Sequence, residues 1–200
     1  MDRTGGVILI VSLVMIVAGV LFAPRKNKGA DNDSNTQNTA EFANTRDKLK
    51  SLALEANEAL TEYIEFHDKV NSAQATLASV VNTIGATLNG KENIPFDQFY
   101  EESVSLETEW EMLADKVKST PTPVVSDEVE FHAALVDFVG SVLDAVTALK
   151  ERQKLLLEIS NGADHPFSRL SKLEGDYNQA IQTYTQNGRK LQQIWSRVFQ

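Results

Sequence analysis

The sequence predicts an all-α chain, with a single N-terminal transmembrane helix followed by an elongated antiparallel four-helix bundle of coiled-coil-like packing. Three observations predict it. Residues 5–23 (GGVILIVSLVMIVAGVLFA) carry no charged side chain. From Phe42 onward apolar residues recur at alternating spacings of three and four, the period of helices in supercoiled contact. Pro, only 5 in 200 residues, falls between these stretches and never inside them, which disfavours a turn-rich all-β fold.

Residues 1–4 form a short N-terminal tail before the membrane segment. As a helix rising 1.5 Å per residue, residues 5–23 cover roughly 28 Å, close to the hydrocarbon thickness of a bilayer. Ser12 is the single polar side chain in the run, too little for the polar stripe of a helix in a soluble core. A cleaved signal peptide is the competing reading. Against it, the run is long, Asp2 offsets Arg3, and Pro24 follows Ala23, with Leu21 where cleavage needs a small residue.

Residues 24–39 read as a basic flank and a flexible polar linker. Arg25, Lys26 and Lys28 outweigh Arg3, so the positive-inside bias places the C-terminal domain in the cytoplasm. The excess is small, and the extracytoplasmic side stays open. From Asn27 to Thr39 there is no aliphatic residue larger than Ala, and the segment spans roughly 20 Å as a random coil.

Residues 40–200 are expected to form the bundle, with helices at about 40–88, 96–119, 127–160 and 167–199. In the first, Phe42, Leu49, Ala56, Tyr63, Val70, Leu77 and Ile84 recur every seven residues, and Asn89-Gly90 supplies a left-handed terminator. The second opens at Ile94-Pro95-Phe96, carries its stripe on Phe99, Leu106, Trp110, Leu113 and Val117, and is stopped by Pro121 and Pro123. Ser126-Asp127-Glu128 starts the third, whose seam runs from Phe131 through Leu149, Arg152 and Leu156 to Ile159, before Asn161-Gly162. The fourth places Leu170, Tyr177, Ile181, Tyr184, Leu191, Trp195 and Val198 on one stripe; Asn187-Gly188 within it is either a break or a close helix crossing. Lengths of roughly 73, 36, 51 and 50 Å close an up-down-up-down bundle, with the start of the first helix left over as a stalk.

Composition and motifs remove most chemistries. With Cys 0, disulfides, thiolate catalysis and zinc–thiolate or iron–sulfur ligation are excluded. The net charge is -9, and residues beyond 28 hold 15 basic against 27 acidic side chains, about −12, which argues against a nucleic-acid partner. Gly85-Ala86-Thr87-Leu88-Asn89-Gly90-Lys91-Glu92 has the Gly and Lys spacing of a phosphate loop. Glu92 stands where the Mg²⁺-binding hydroxyl belongs, though, and the segment ends a helix rather than linking a strand to one. His67 and His132 fall on helices and His165 in a loop, without the Glu-x-x-His spacing of di-iron bundles. The acids Glu101, Glu102, Glu107, Glu109 and Glu111 read as a solvated face of the second helix. No catalytic residue, metal or cofactor is expected.

Two apolar faces are candidate binding surfaces. On the third helix a second stripe of His132, Val136, Val139, Leu143 and Val146 is nearly as apolar as the seam. A helix packed between two neighbours accounts for it; the sharper reading makes Phe131, Val136, Val139, Leu143 and Val146 a face for self-association or a protein partner. A second membrane span there is disfavoured by Asp137 and Asp144, each costing roughly 2.5–3.5 kcal/mol in a bilayer. At the C-terminal end Leu191, Ile194, Trp195, Val198 and Phe199 share a side with Arg189, Lys190 and Arg197 nearby, a pattern suited to a membrane-proximal interfacial helix; completion of the bundle is the ordinary alternative. The sequence therefore points to a membrane-anchored helical scaffold, tether or assembly factor acting through protein–protein interaction without catalysis. The alternative is an extracytoplasmic sensor-like or accessory bundle that takes a ligand or partner between its helices.

Overall fold

The computed structural model describes residues 38–74, 82, 84, 94–164 and 167–199 of the chain. The expected membrane span at 5–23, its flank, and the Asn89-Gly90 end of the first helix lie outside the described residues. The four helices are α1 (Asn38–Gln74), α2 (Phe96–Lys118), α3 (Ser126–Ser160) and α4 (Phe167–Val198), and no strand occurs among the described residues.

The ends follow local chemistry. α2 begins after Pro95, whose carbonyl accepts from Phe99 N–H (3.0 Å), with Asp97 at the positive end of the helix dipole and Lys116 and Lys118 at the negative end. Thr120 Oγ1 donates back to the Lys116 carbonyl (2.9 Å), and the two prolines then keep the chain out of helix. Ser126 is the first helical residue of α3 rather than its cap; Val125 precedes it in extended conformation and makes no side-chain capping bond. α3 ends in a Schellman turn: Gly162 adopts φ 88° and donates to Ile159 O (2.9 Å), while Ala163 donates to Glu158 O (3.0 Å). α4 is unbroken through Asn187-Gly188. Gly188 is buried there, and beside it the Asn187 amide donates to the Asp137 carbonyl of α3 (3.2 Å), so the helix runs on past the glycine without a break.

Cross-helix pairs fix the topology. Lys69 meets Glu102, and Lys116 meets Glu55, so α1 and α2 run antiparallel. Lys150 on Glu107 together with His132 on the Val117 carbonyl does the same for α2 and α3, and Arg152 on Glu174 with Lys190 on Asp137 for α3 and α4. The result is an up-down-up-down bundle.

Its main core combines Leu49, Leu60 and Tyr63 of α1, Trp110 of α2, Phe131, Leu135 and Phe138 of α3, and Leu191 of α4, all fully buried. A smaller cluster of Ile84, Phe96, Leu155, Leu156 and Leu170 caps the pole where α2 and α4 begin. α3 is the central helix, with its backbone close to α2 and α4, whereas α1 and α4 stand further apart and are bridged by tyrosines. That position explains why α3 is the helix, among the described residues, long and apolar enough to cross a membrane: 56% of its most apolar window is buried against neighbouring helices.

Candidate functional site

Two features stand out once the helices are assembled: a buried polar layer across the core and an acidic groove on its flank. The layer begins where α1 faces α4. Tyr63 Oη and Tyr177 Oη share a buried hydrogen bond (3.2 Å), and the Tyr184 ring meets Tyr63 edge-on at 6.1 Å. Burial pushes all three phenols well above their ordinary range, so they stay protonated donors. One turn along α1, His67 leans on both Tyr63 and Tyr177 (ring centroids 6.2 and 5.8 Å). Asn71 donates its amide to His67 Nε2 (2.8 Å), which leaves Nδ1 to donate to Asp68 (3.2 Å), the pattern of a neutral imidazole. Burial holds the His67 pKa below 6.5; Asp68 opposes that shift and the Arg152 charge adds to it.

Further toward the same pole lies Arg152, only 2% exposed. Its Nε donates to Glu174 (2.6 Å) and its Nη1 to Gln74 Oε1 (2.9 Å), while Gln74 passes its own amide to Gln153 Oε1 (3.3 Å). One guanidinium thus ties α1, α3 and α4 together. Gln153 Nε2 has no partner among the described residues. The sequence pattern treats Tyr63, Arg152 and Tyr177 as ordinary seam positions and places His67 only on a helix. An Arg in a seam between Leu149 and Leu156 is the sequence signal for such a layer. The phenols and the guanidinium are buried, and through them the layer ties α1, α3 and α4 together from within.

The second feature lies between α1 and α2. Two adjoining recesses of about 450 and 390 Å³ share Ser105 and Glu109 and form one groove. Burial, together with Glu62 and Glu55 opposite, raises the Glu109 carboxyl above its ordinary value. The acid run of α2 is therefore not uniformly solvated: Glu107 turns to α3, where it accepts from Thr147 (2.9 Å) and Lys150 (2.6 and 2.7 Å), while Glu102 and Glu109 line the groove.

Both apolar faces anticipated from the sequence are packed within the bundle. On α3, Phe131, Val139 and Val146 are fully buried, and Val136 and Leu143 are half-buried against the same core. The face is covered by the bundle itself, because α3 is central. At the C-terminal end Leu191 and Ile194 are buried and Trp195 is 6% exposed, with its ring 4.5 Å from Phe199 and 5.8 Å from Phe131. Val198 and Phe199 are half-buried on that cluster. The basic residues do not gather into a patch. Arg197 pairs with Glu130 and Asp127, Lys190 pairs with Asp137 (3.4 Å), and Arg189 is exposed. The apolar side of this segment thus points into the bundle rather than outward, because Phe131 offers it an aromatic partner.

Among the described residues, no group of three or more His, Asp or Glu side chains stands together as a metal cradle. The sequence matches no family model, and comparison with curated proteins and with solved structures finds no similar one.

Proposed function

We propose that the chain is a membrane-anchored helical scaffold or tether that acts by binding other proteins. One relation carries the reading. Arg46, near the start of α1, donates to the Val198 carbonyl at the end of α4 (2.6 Å), and its guanidinium lies over the Phe199 ring at 5.4 Å. The linker side of α1 and the end of the last helix therefore share one pole. An anchor at residues 5–23 and a polar linker would attach the bundle by that pole. Arg46 to Gln74 then measures roughly 40 Å of α1 projecting away from it, with lateral helix faces open to partners. The buried layer supports the reading, since a core that fixes helix register suits a rigid spacer.

The test is cellular. Full-length chain should sediment with membranes and be released by detergent but not by salt or carbonate. Photo-crosslinkers at exposed positions such as Met112 and Asn178 should give discrete partner bands that are lost when residues 5–23 are replaced by a polar segment. Recovery of the full chain in the soluble fraction, or crosslinks from neither position, would overturn the proposal. A reporter fused after Gln200 reads the side of the membrane on which the bundle lies.

A further inference from the structure

The connection between α2 and α3 carries apolar surface that the bundle leaves uncovered. Val124 is 68% exposed, Val125 48% and Val129, one turn into α3, 38%. Single exposed valines are ordinary, but these three fall within six residues at one corner. The corner is firmly built. Thr120 is tied to the Lys116 carbonyl, Pro123 is buried, Val125 is extended (φ −82°, ψ 128°), and Val129 N–H donates to the Val125 carbonyl at 2.9 Å. From Ser119 to Ser126 the sequence STPTPVVS holds no charged side chain. The acids that follow it are matched: Glu128 pairs with Arg46, and Asp127 and Glu130 pair with Arg197. The α3–α4 connection at the far pole is exposed as well, but it presents Asn161 and Asp164 in place of valines.

We propose that Val124, Val125 and Val129 rest on the lipid bilayer at headgroup depth and so set the tilt of the bundle on its anchor. The inference rests on the membrane-anchored reading above and deepens it. Position favours the bilayer first. Glu128 meets Arg46, so this corner stands at the pole where α1 begins and the linker leaves. Residues 24–37 separate the proposed span from Asn38, and as a coil they reach roughly 20 Å. From Asn38 to Arg46 α1 adds about 12 Å. The corner is therefore held within about 30 Å of the lipid, and a bundle leaning toward its α2–α3 side closes that gap. Area points the same way. Three partly exposed valines fall far short of the roughly 800 Å² per partner of a stable protein interface, so they do not hold a second copy or a partner protein. Lipid needs no complementary surface, and the tether supplies the effective concentration that makes a weak contact sufficient. Charge agrees. The acids are paired and Lys118 is exposed at the end of α2, so anionic headgroups are not repelled here as they are by the acidic body. Trp195 takes no part, since its ring is packed between Phe131 and Phe199.

The chain has Cys 0, so a single introduced cysteine reports on one place. Thr122→Cys, exposed beside the valines, and Asn161→Cys, exposed at the far pole, are labelled with the fluorophore NBD in the full chain. Each is placed in nanodiscs that contain headgroup spin-labelled lipid. Quenching at position 122 should exceed that at 161 at least threefold and should change little between low and high salt. Adding Val124→Asp and Val125→Asp to Thr122→Cys should bring its quenching down to the level at 161. Both valines are exposed, and Asp suits the position before a helix, so circular dichroism and thermal unfolding should stay unchanged. Equal quenching at the two positions overturns the proposal, as does quenching at 122 that survives the two aspartates. Disulfide-linked dimers of Thr122→Cys that the two aspartates abolish would also overturn it, in favour of a second copy. Sedimentation with membranes reads the anchor separately. A full chain that is membrane-bound yet unquenched at 122 loses the contact and keeps the anchor, whereas a full chain in the soluble fraction loses both.

Discussion

Tyr63 and Tyr177, 114 residues apart in sequence, meet hydroxyl to hydroxyl at 3.2 Å inside the bundle. Neither phenol can reach water from there, so each satisfies the other. Changing one to Phe leaves a buried hydroxyl alone and should cost about 1–3 kcal/mol, while changing both removes the need and should cost much less than the two losses added. Urea denaturation of Tyr63→Phe, Tyr177→Phe and the double variant gives the coupling directly from midpoints at constant slope. Strict additivity would mean that the hydrogen bond contributes nothing.

Arg152 should show the asymmetry of a buried charge. Glu174 is partly exposed and can turn to solvent when Arg152 is removed, but Arg152 cannot follow when Glu174 is neutralised. Glu174→Gln should therefore destabilise by about 3–5 kcal/mol, and Arg152→Met by less, since Met fills the space without a charge to pair and leaves only Gln74 Oε1 without its donor. Thermal unfolding of the two variants separates them, and the reverse order would show that the guanidinium is needed for more than its ion pair.

The fold was largely legible because helix period, chain breaks and length are local. Phe99, Leu106, Trp110, Leu113 and Val117 all reach the core as their spacing requires, and Pro121 and Gly162 sit where helices end. What sequence alone could not separate is a wide apolar face that binds a partner from one buried by its own bundle. Val139 and Val146 look the same in either case until α4 is placed against α3. Polar residues were misjudged for the complementary reason. Glu107 and Glu109 stand two positions apart on α2, yet one turns to Lys150 and the other to α1, a difference set by neighbours far along the chain. The polar layer was hidden because Tyr and His pass for core residues until their partners are known.

His67 links stability to pH. Its folded pKa lies below 6.5, chiefly through burial and with help from Arg152, against the pull of Asp68. The unfolded chain therefore takes up the proton first on acidification. The stabilising contribution of neutral His67 is fully present above about pH 6.5 and is lost as pH falls from there toward the folded value. Melting temperatures between pH 7.5 and 5 should drop further for the unaltered chain than for His67→Gln. Parallel curves for the two would show that His67 titrates alike in folded and unfolded states.

The last prediction concerns Trp195, whose ring is held between Phe131 and Phe199 at the pole where the linker side of α1 ends. A tryptophan at a membrane interface answers to the lipid around it, whereas one packed in an aromatic cluster does not. The chain has Trp 2, so Trp110→Phe isolates the signal of Trp195; Trp110 Nε1 has no hydrogen-bond partner among the described residues, and Phe removes that orphaned donor. In nanodiscs of zwitterionic lipid and in nanodiscs rich in anionic lipid, Trp195 emission should be equally blue, because its environment is the bundle in both. Trp195→Ala should also cost about 3–5 kcal/mol, as expected for an emptied aromatic site. An emission maximum that moves with lipid charge, or a Trp195→Ala variant as stable as the unaltered chain, would show that this side chain faces the membrane and that Arg46 on Val198 does not hold the pole closed.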